Sequence, residues 1–582
     1  MGLFTIHIEN RDYIAWKAIP QSVSKCENEN ENENESIDLS NSSIMGDISP
    51  IDSKLFHKDI INSEGNLVSS FYRDNEEICG VLLTSEKTYG RNSKGKLLFK
   101  CIPDDEHLPC FLIPYEEKNI GFAKNKLDKY ITFRIHEWKD KHPLGTLTNS
   151  FGNVNDNEAY INYQLTCNNL HDSLKQFNAI SLRALRLQTL SPIPHYIDDI
   201  PIEDRRTRTI ISIDPKGCTD IDDAIGITTN ANGEKVLSIY IANVPMMIEY
   251  LGLWKFITNR ISTIYFPDKK IPMLPKLLSD NLCSLKEGED RVAFVLDIHI
   301  DNKNKKTFEC NSAIINVKKN YVYNEVALTS CKDYQDILKT INKINILNGL
   351  SYTSIKYMDE INNSHDVIEY CMIMMNHQCA KMLREKEKGI FRSATKNTIE
   401  TNNTHYEHLI PEVKYILENV SGEYCDYTNI KPHELVGGGL KTYTHITSPI
   451  RRIVDCVNMI ELQQEKFEWS KESKEFLKKW MSNIEIINVK TKATNKLQNQ
   501  MELMNEYEKN NNEVHSGIVF SKTTISVKGV DMFKYRVYIK LLNLLSNVVT
   551  TKDIKDYSTA EFSVHSFMDE IKMTKKLRLQ ML

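Results

Sequence analysis

No stretch of this sequence approaches the ~18 uninterrupted apolar residues that a membrane-spanning helix requires, so no membrane partner is expected. The first residues, MGLFTIHIEN, lack the basic start and apolar run of a secretory signal. Ile6 also stands where a myristoylation signal needs Ser or Thr. The thirteen cysteines include no CxxC pair. An odd, scattered count indicates reduced thiols in an intracellular protein, cytoplasmic or nuclear, and argues against a disulfide frame or structural zinc site. A positive excess is missing too: 73 basic residues face 78 acidic ones, for a formal charge of −5. That excludes a uniformly basic nucleic-acid binder. The segment CENENENENES supplies Glu27, Glu29, Glu31, Glu33 and Glu35, and without those five the acidic count falls to 73, equal to the basic one. Any nucleic-acid contact must therefore come from local patches. The Glu-Asn run itself is too polar to bury a core and is expected to be a flexible loop.

A chain of 582 residues has room for roughly three to five domains. From 76 to 170 short strand candidates follow one another, among them KLLFKCIP, CFLIPYE, GTLTNSFG and KYITFRIHEW. In the last, Ile131, Phe133 and Ile135 alternate with polar residues. A small OB-type barrel is expected, because basic and aromatic residues interleave along it; a ligand-free structural β-domain is the alternative. From 171 to 512 strands (TIISID, LSIYIANV, VAFVLDIHID) mix with helices, the longest being DVIEYCMIMMNHQCAKMLREKEK. From 513 to 582 strand patterns return in TTISVKG and YRVYIKLL, which predicts a second small barrel. The expected fold is multidomain α+β: a mixed α/β body flanked by small β-barrels.

Three stretches carry chemistry. SIDPKGCTDIDDAIGI places Asp214, Asp220, Asp222 and Asp223 within ten residues at a strand end. Like-charge repulsion raises the pKa of at least one member of such a cluster unless a cation neutralises it. Mg²⁺ prefers oxygen ligands, and two such ions can activate water and stabilise a leaving oxygen. An EF-hand is excluded, because counting from Asp220 its glycine position holds Ile225 and its glutamate position Ala231. A solvated acidic turn is the plainer alternative.

In YTHITSPIRRIVDCVNMIEL, Ser448 suits an N-cap and Pro449 the first helical position. This predicts a helix that carries Arg451 and Arg452 in its first turn. There they would grip an anion such as phosphate, or Arg451 would pair with Asp455 on the surface. In RISTIYFPDKKIPMLPKLLSDNLCSL, Tyr265 and Phe266 lie among Arg260, Lys269 and Lys270. Such a mixture suits base stacking along a single strand, although core packing is the commoner fate of a tyrosine.

Together these stretches resemble the RNB (ribonuclease II) family of exoribonucleases. DPKGCTDIDDA is similar to its metal-binding signature and THITSPIRR to its arginine motif. YFPDKKIPMLP lies between them in family order. Residues 76–170 resemble a cold-shock barrel of the exosome-associated eukaryotic members, and 513–582 their C-terminal OB-fold. Residues 1–75 are read as a divergent first cold-shock barrel that holds the Glu-Asn loop. Those eukaryotic members also carry an N-terminal PIN domain, for which this sequence shows no counterpart.

The resemblance implies a hydrolytic 3′→5′ exoribonuclease that degrades single-stranded RNA to 5′-mononucleotides. The alternative is a weak or inactive RNB-fold RNA-binding scaffold. It implies two Mg²⁺ ions, with Mn²⁺ an acceptable substitute, held by Asp214, Asp220, Asp222 and Asp223. Asp222 and Arg451 are implied as catalytic, with Arg452 beside them. Tyr265 is implied to stack on a base, Tyr323 to lie near the terminal riboses, and Glu369 to contact a 2′-hydroxyl. An exosome-like complex is a further implied partner. The chain departs from the family pattern at Tyr240, Asn243, Tyr370, Ile453 and Asn458.

Overall fold

A computed structural model describes residues 2–21, 49–74, 77–116, 127–188, 192–194, 196–197, 200–230, 233–301, 305–349, 357–395, 410–418, 422–434, 439–509, 514–527, 530–569 and 574–582. The Glu-Asn run lies outside the described residues.

The strand candidates after residue 76 close into a five-stranded barrel. Its order is Ile78–Leu82, Leu97–Pro103, Phe111–Tyr115, Leu144–Asn153 and Lys129–Glu137. Ile131 and Phe133 point inward as their alternation requires, and Phe133 meets Phe111 with ring centroids 4.8 Å apart. The opposite face of this strand is buried as well. Helix Asn157–Cys167, capped by Asp156, lies over it, and Tyr163 stacks on Tyr130 at 4.4 Å.

The N-terminal residues form a four-stranded sheet: Trp16–Pro20, Leu3–Ile8, Ile60–Asn62 and Leu67–Ser69. This sheet shares one apolar core with the barrel, in which Phe56 stacks between Phe111 and Trp138.

The body is a seven-stranded sheet in the order Glu203–Asp204, Lys306–Asn316, Asp290–Ile300, Lys235–Ala242, Asp223–Thr229, Ile210–Asp214 and Lys319–Val322. Both faces are covered, which explains the nearly continuous apolar strands. Ile211, Ile213, Ile239 and Leu296 pack toward helices Lys332–Gly349 and Ser364–Glu385. Their sequence neighbours Ile210, Tyr240 and Val295 face helices Val244–Tyr250 and Ile453–Gln463. Period-2 alternation thus builds two cores from one sheet.

A 26-residue helix, Ile484–Lys509, links the body to a C-terminal five-stranded sheet. That sheet runs in the order Leu544–Thr550, Val530–Ile539, His515–Val527, Thr559–Asp569 and Thr574–Met581. Its two outer strands approach each other, so it rolls into a nearly closed barrel. No helix among the described residues is long and apolar enough to cross a membrane.

One local expectation is corrected. The arginine helix begins at Ile453, with Arg452 in extended conformation at its cap, not at Pro449. Residues 448–452 form a turn in which the N–H groups of Arg451 and Arg452 donate to the Ser448 carbonyl. The backbone here is claimed by a crossing segment. Thr263 N–H donates to the Arg451 carbonyl and Ile453 N–H to that of Ile261, so a helix cannot start earlier.

Candidate active site

The acidic loop leaves the sheet at Asp214 and re-enters it at Asp223, the first residue of the next strand. Two adjacent strand ends therefore set the outer aspartates, and the turn through Pro215 and Gly217 carries the inner two. Asp214 accepts from the Ser212 hydroxyl at 2.9 Å. Burial, together with repulsion from Asp220, pushes its carboxyl up to about 6. Asp222 is 5% exposed. Its Oδ1 accepts from the Ile450 N–H at 3.0 Å and its Oδ2 from Arg451 Nε at 3.3 Å. Burial outweighs both and lifts its carboxyl to about 7. Asp223 Oδ2 is buried with no hydrogen-bond partner. Burial and the charges of Asp214 and Asp222 hold its carboxyl well above the ordinary range. These three groups have too little positive charge around them for their burial.

Asp220 is the exception. The segment 264–271 forms a two-stranded hairpin in which Tyr265 and Lys270 stand directly opposite each other. Lys270 Nζ donates to Asp220 Oδ1 at 2.7 Å and Tyr265 Oη to Oδ2 at 3.4 Å. Lys270 also reaches Thr219 Oγ1 at 2.9 Å and Asp280 Oδ1 at 3.4 Å. Burial alone would lower the Lys270 pKa, but its bond to Asp220 and the nearby carboxylates raise it. With Asp220 and Asp222 turned to these partners, no three metal-ligating side chains among the described residues converge on one point. The donors still fit a hard cation: four carboxylates on one loop, three of them raised and one with a buried, unpartnered oxygen.

The two arginines differ in setting. Arg451 is half-exposed and borders a pocket of about 170 Å³ shared with Tyr265, Tyr424, Thr491 and Gln498. Arg452 donates to the fully buried Asp455 at 2.9 Å, an engagement with the fold. The surface pair Arg451–Asp455 considered above is absent, because Asp455 also accepts from the Ser448 N–H at 2.6 Å. Of the basic residues flanking Tyr265, Arg260 is buried and donates to the Asp172 carbonyl at 2.6 Å. Tyr265 itself is 41% exposed, and its N–H donates to Gln498 Oε1 at 3.0 Å.

Tyr323 N–H donates to the Asp214 carbonyl at 3.2 Å, which places this residue beside the acidic loop. Its phenol pKa is raised by burial and then by Asp223 and Asp214. The ring stacks on His365 at 3.7 Å. Glu369 is exposed one turn further along the same helix, while Tyr370 is fully buried. The other departures are absorbed by the core. Asn243 caps helix Val244–Tyr250 and donates to Gln463 at 2.9 Å. Asn458 accepts from Ile390 N–H and donates to Thr444 Oγ1 at 2.7 Å. Tyr240 and Ile453 are buried.

Sequence reasoning missed four contributors. Asp280, His365 and Gln498 carry no motif that would have marked them. Lys270 was visible only as a flanking charge, and its pairing opposite Tyr265 needs the hairpin register.

Residues 202–351 match the RNB domain family, the family its motifs resemble. The chain is 25% identical to the human exosome complex exonuclease RRP44 over 469 residues, 68% of this chain and 47% of that protein. The chain covers less than half the length of the curated relatives it matches. Among solved structures it is similar to Mycoplasma genitalium RNase R in complex with ribose methylated single-stranded RNA. That likeness has a TM-score of 0.63 and 18% identity, and covers 91% of this chain and 95% of that one. It is also similar to yeast Ssd1, a pseudonuclease, with a TM-score of 0.55 and 15% identity, covering 89% and 69%. At these identities the structures establish the fold: a mixed α/β body with small barrels.

Proposed function

We propose that this chain is a divalent-metal-dependent 3′→5′ exoribonuclease that releases 5′-mononucleotides from single-stranded RNA. The observation that carries this reading is the meeting of Arg451 with the acidic loop at Asp222. A phosphodiester brought there lies between a half-exposed guanidinium and a group of carboxylates starved of positive charge. Asp214, Asp220, Asp222 and Asp223 would hold the metal, Mg²⁺ or Mn²⁺ in its place. When bound, two such ions supply an activated water and charge against the leaving oxygen.

The remaining roles belong to the protein. Arg451 stabilises negative charge on the scissile phosphate. Tyr265, at the rim of the pocket shared with Arg451, stacks on a base near the 3′ end. Tyr323 and Glu369 face the terminal riboses. Arg452 holds the turn that presents Arg451, through its bond to Asp455. Recognition through backbone, 2′-hydroxyl and stacking leaves little sequence preference. The name of the human relative makes an exosome-like complex the partner to seek by co-purification.

A second reading, a non-catalytic RNA-binding protein, draws on the likeness to a pseudonuclease fold and on the engagement of Asp220 by Lys270. One assay separates the two. Single-stranded RNA labelled at its 3′ end is incubated with the chain and Mg²⁺ or Mn²⁺. Release of the label as a mononucleotide supports the enzyme; binding without release by either ion supports the scaffold.

A further inference from the structure

We propose that Lys270 is an internal counter-ion of the acidic loop, competing with the divalent cation for Asp220 and retreating to Asp280 when that cation binds. The inference rests on the reading above, that the four aspartates hold a metal.

Three observations lead to it. First, both oxygens of Asp220 are claimed by one cross-strand pair, Lys270 on Oδ1 and Tyr265 on Oδ2. An ammonium 2.7 Å from Oδ1 sets a full positive charge against an oxygen that a cation would use. A divalent ion held on the same carboxylate at about 2.0–2.1 Å would sit within a few ångströms of that ammonium and be repelled by its charge. Second, Lys270 has another anionic berth within reach. Asp280 Oδ1 is 3.4 Å from Nζ, and Asp280 is steadied by Ser279 Oγ at 2.7 Å. The lysine can give up Asp220 without being left unpaired in a site where its own side chain is only 25% exposed. Third, Asp214, Asp222 and Asp223 have no comparable ammonium partner among the described residues. Lys270 therefore acts on Asp220 selectively and does not neutralise the loop as a whole.

The test is calorimetric titration of Mn²⁺ and Mg²⁺ into the full chain and its variants, with thermal melts confirming that each folds. Removing the competing charge in Lys270→Met should tighten cation binding about tenfold. Lys270→Arg, which keeps the charge, should stay near wild type. Asp280→Asn removes the second berth and should weaken cation binding, a change of opposite sign that simple loss of structure at Lys270 does not produce. Lys269→Met is the neighbouring control; Lys269 lies 3.6 Å from Glu158, and its loss should leave the affinity unchanged. Unchanged or weaker binding by Lys270→Met, in a wild-type background that does bind the ions, overturns the role of Lys270 alone. Failure of both wild type and Lys270→Met to bind either ion overturns the metal site and this inference together.

Discussion

Arg451 and Asp222, 229 positions apart in the chain, meet across the site, with Arg451 Nε donating to Asp222 Oδ2 at 3.3 Å. The carboxylate's other oxygen takes the Ile450 N–H, so the arginine turn and the acidic loop converge on one buried group. Nε is the nitrogen engaged; among the described residues the terminal nitrogens of Arg451 have no protein partner, and half-exposure leaves them open to solvent.

Asp222→Asn should abolish mononucleotide release while leaving RNA bound. Burial holds the Asp222 carboxyl at about 7, so a neutral amide suits the site, and its oxygen still accepts from Ile450. The ion pair with half-exposed Arg451, which the substitution removes, is worth about 1 kcal/mol at most. Undiminished release from labelled RNA, alongside an unchanged gel shift, would show that the chemistry lies elsewhere.

The neighbouring arginines should separate activity from stability. Arg451→Ala is expected to lower the turnover rate about 10²–10³-fold with a melting temperature near wild type. Arg452→Ala strands Asp455, which is fully buried, and should cost about 3–5 kcal/mol of stability. Urea denaturation and single-turnover kinetics on both variants read the contrast; equal destabilisation by the two would refute it.

Gly226→Ala should disturb the acidic loop from beneath. A Cβ there would lie 2.8 Å from the Thr209 carbonyl, at the start of the strand that ends in Asp214, where Ile210 pairs with Gly226. Backbone cannot yield as a side chain does, so the strand must shift. A loss of about 1–3 kcal/mol is expected, with lower activity. An unaltered melt would show the strand to be more yielding than its packing implies.

The N-terminal sheet should be acid-labile. His57 Nδ1 accepts from the Ile8 N–H at 3.0 Å, and its ring stacks on His107 at 4.4 Å, with His7 edge-on at 4.7 Å. Burial, then repulsion from His107 and His7, holds His57 down at about 4 against an ordinary 6.5. The folded state keeps this ring neutral while the unfolded chain takes up a proton. Its contribution is therefore complete above about 6.5 and is lost as pH falls toward 4. Melts between pH 7 and 4.5 should show this loss, and His57→Asn should shrink the pH dependence. A slope unchanged by the substitution would assign the lability to other groups.

The legible parts of this protein were those with a local cause. KYITFRIHEW forms a barrel strand because alternation alone assigns its inner face, and TIISID ends at Asp214 because Pro215 and Gly217 follow. The long helix predicted from Asp366 onward starts only two residues earlier, at Ser364. The helix start at Ser448 and Pro449 was misread for a non-local reason. The local capping signal is sound, but segment 261–263 claims the backbone of Arg451 and Ile453, and nothing near Pro449 encodes that crossing.

Residue order by itself determined the two-faced strands, the four carboxylates on one loop and the succession of motifs that marks an RNB domain, because each depends on neighbours a few positions apart. Only the tertiary structure decided which partner each charge receives: Arg451 goes to Asp222, Arg452 to Asp455, and Lys270 with Tyr265 to Asp220. Those pairings depend on distances across the fold between groups tens to hundreds of residues apart. Charge and spacing in a linear chain specify that a buried carboxylate needs a partner, and packing specifies which one arrives.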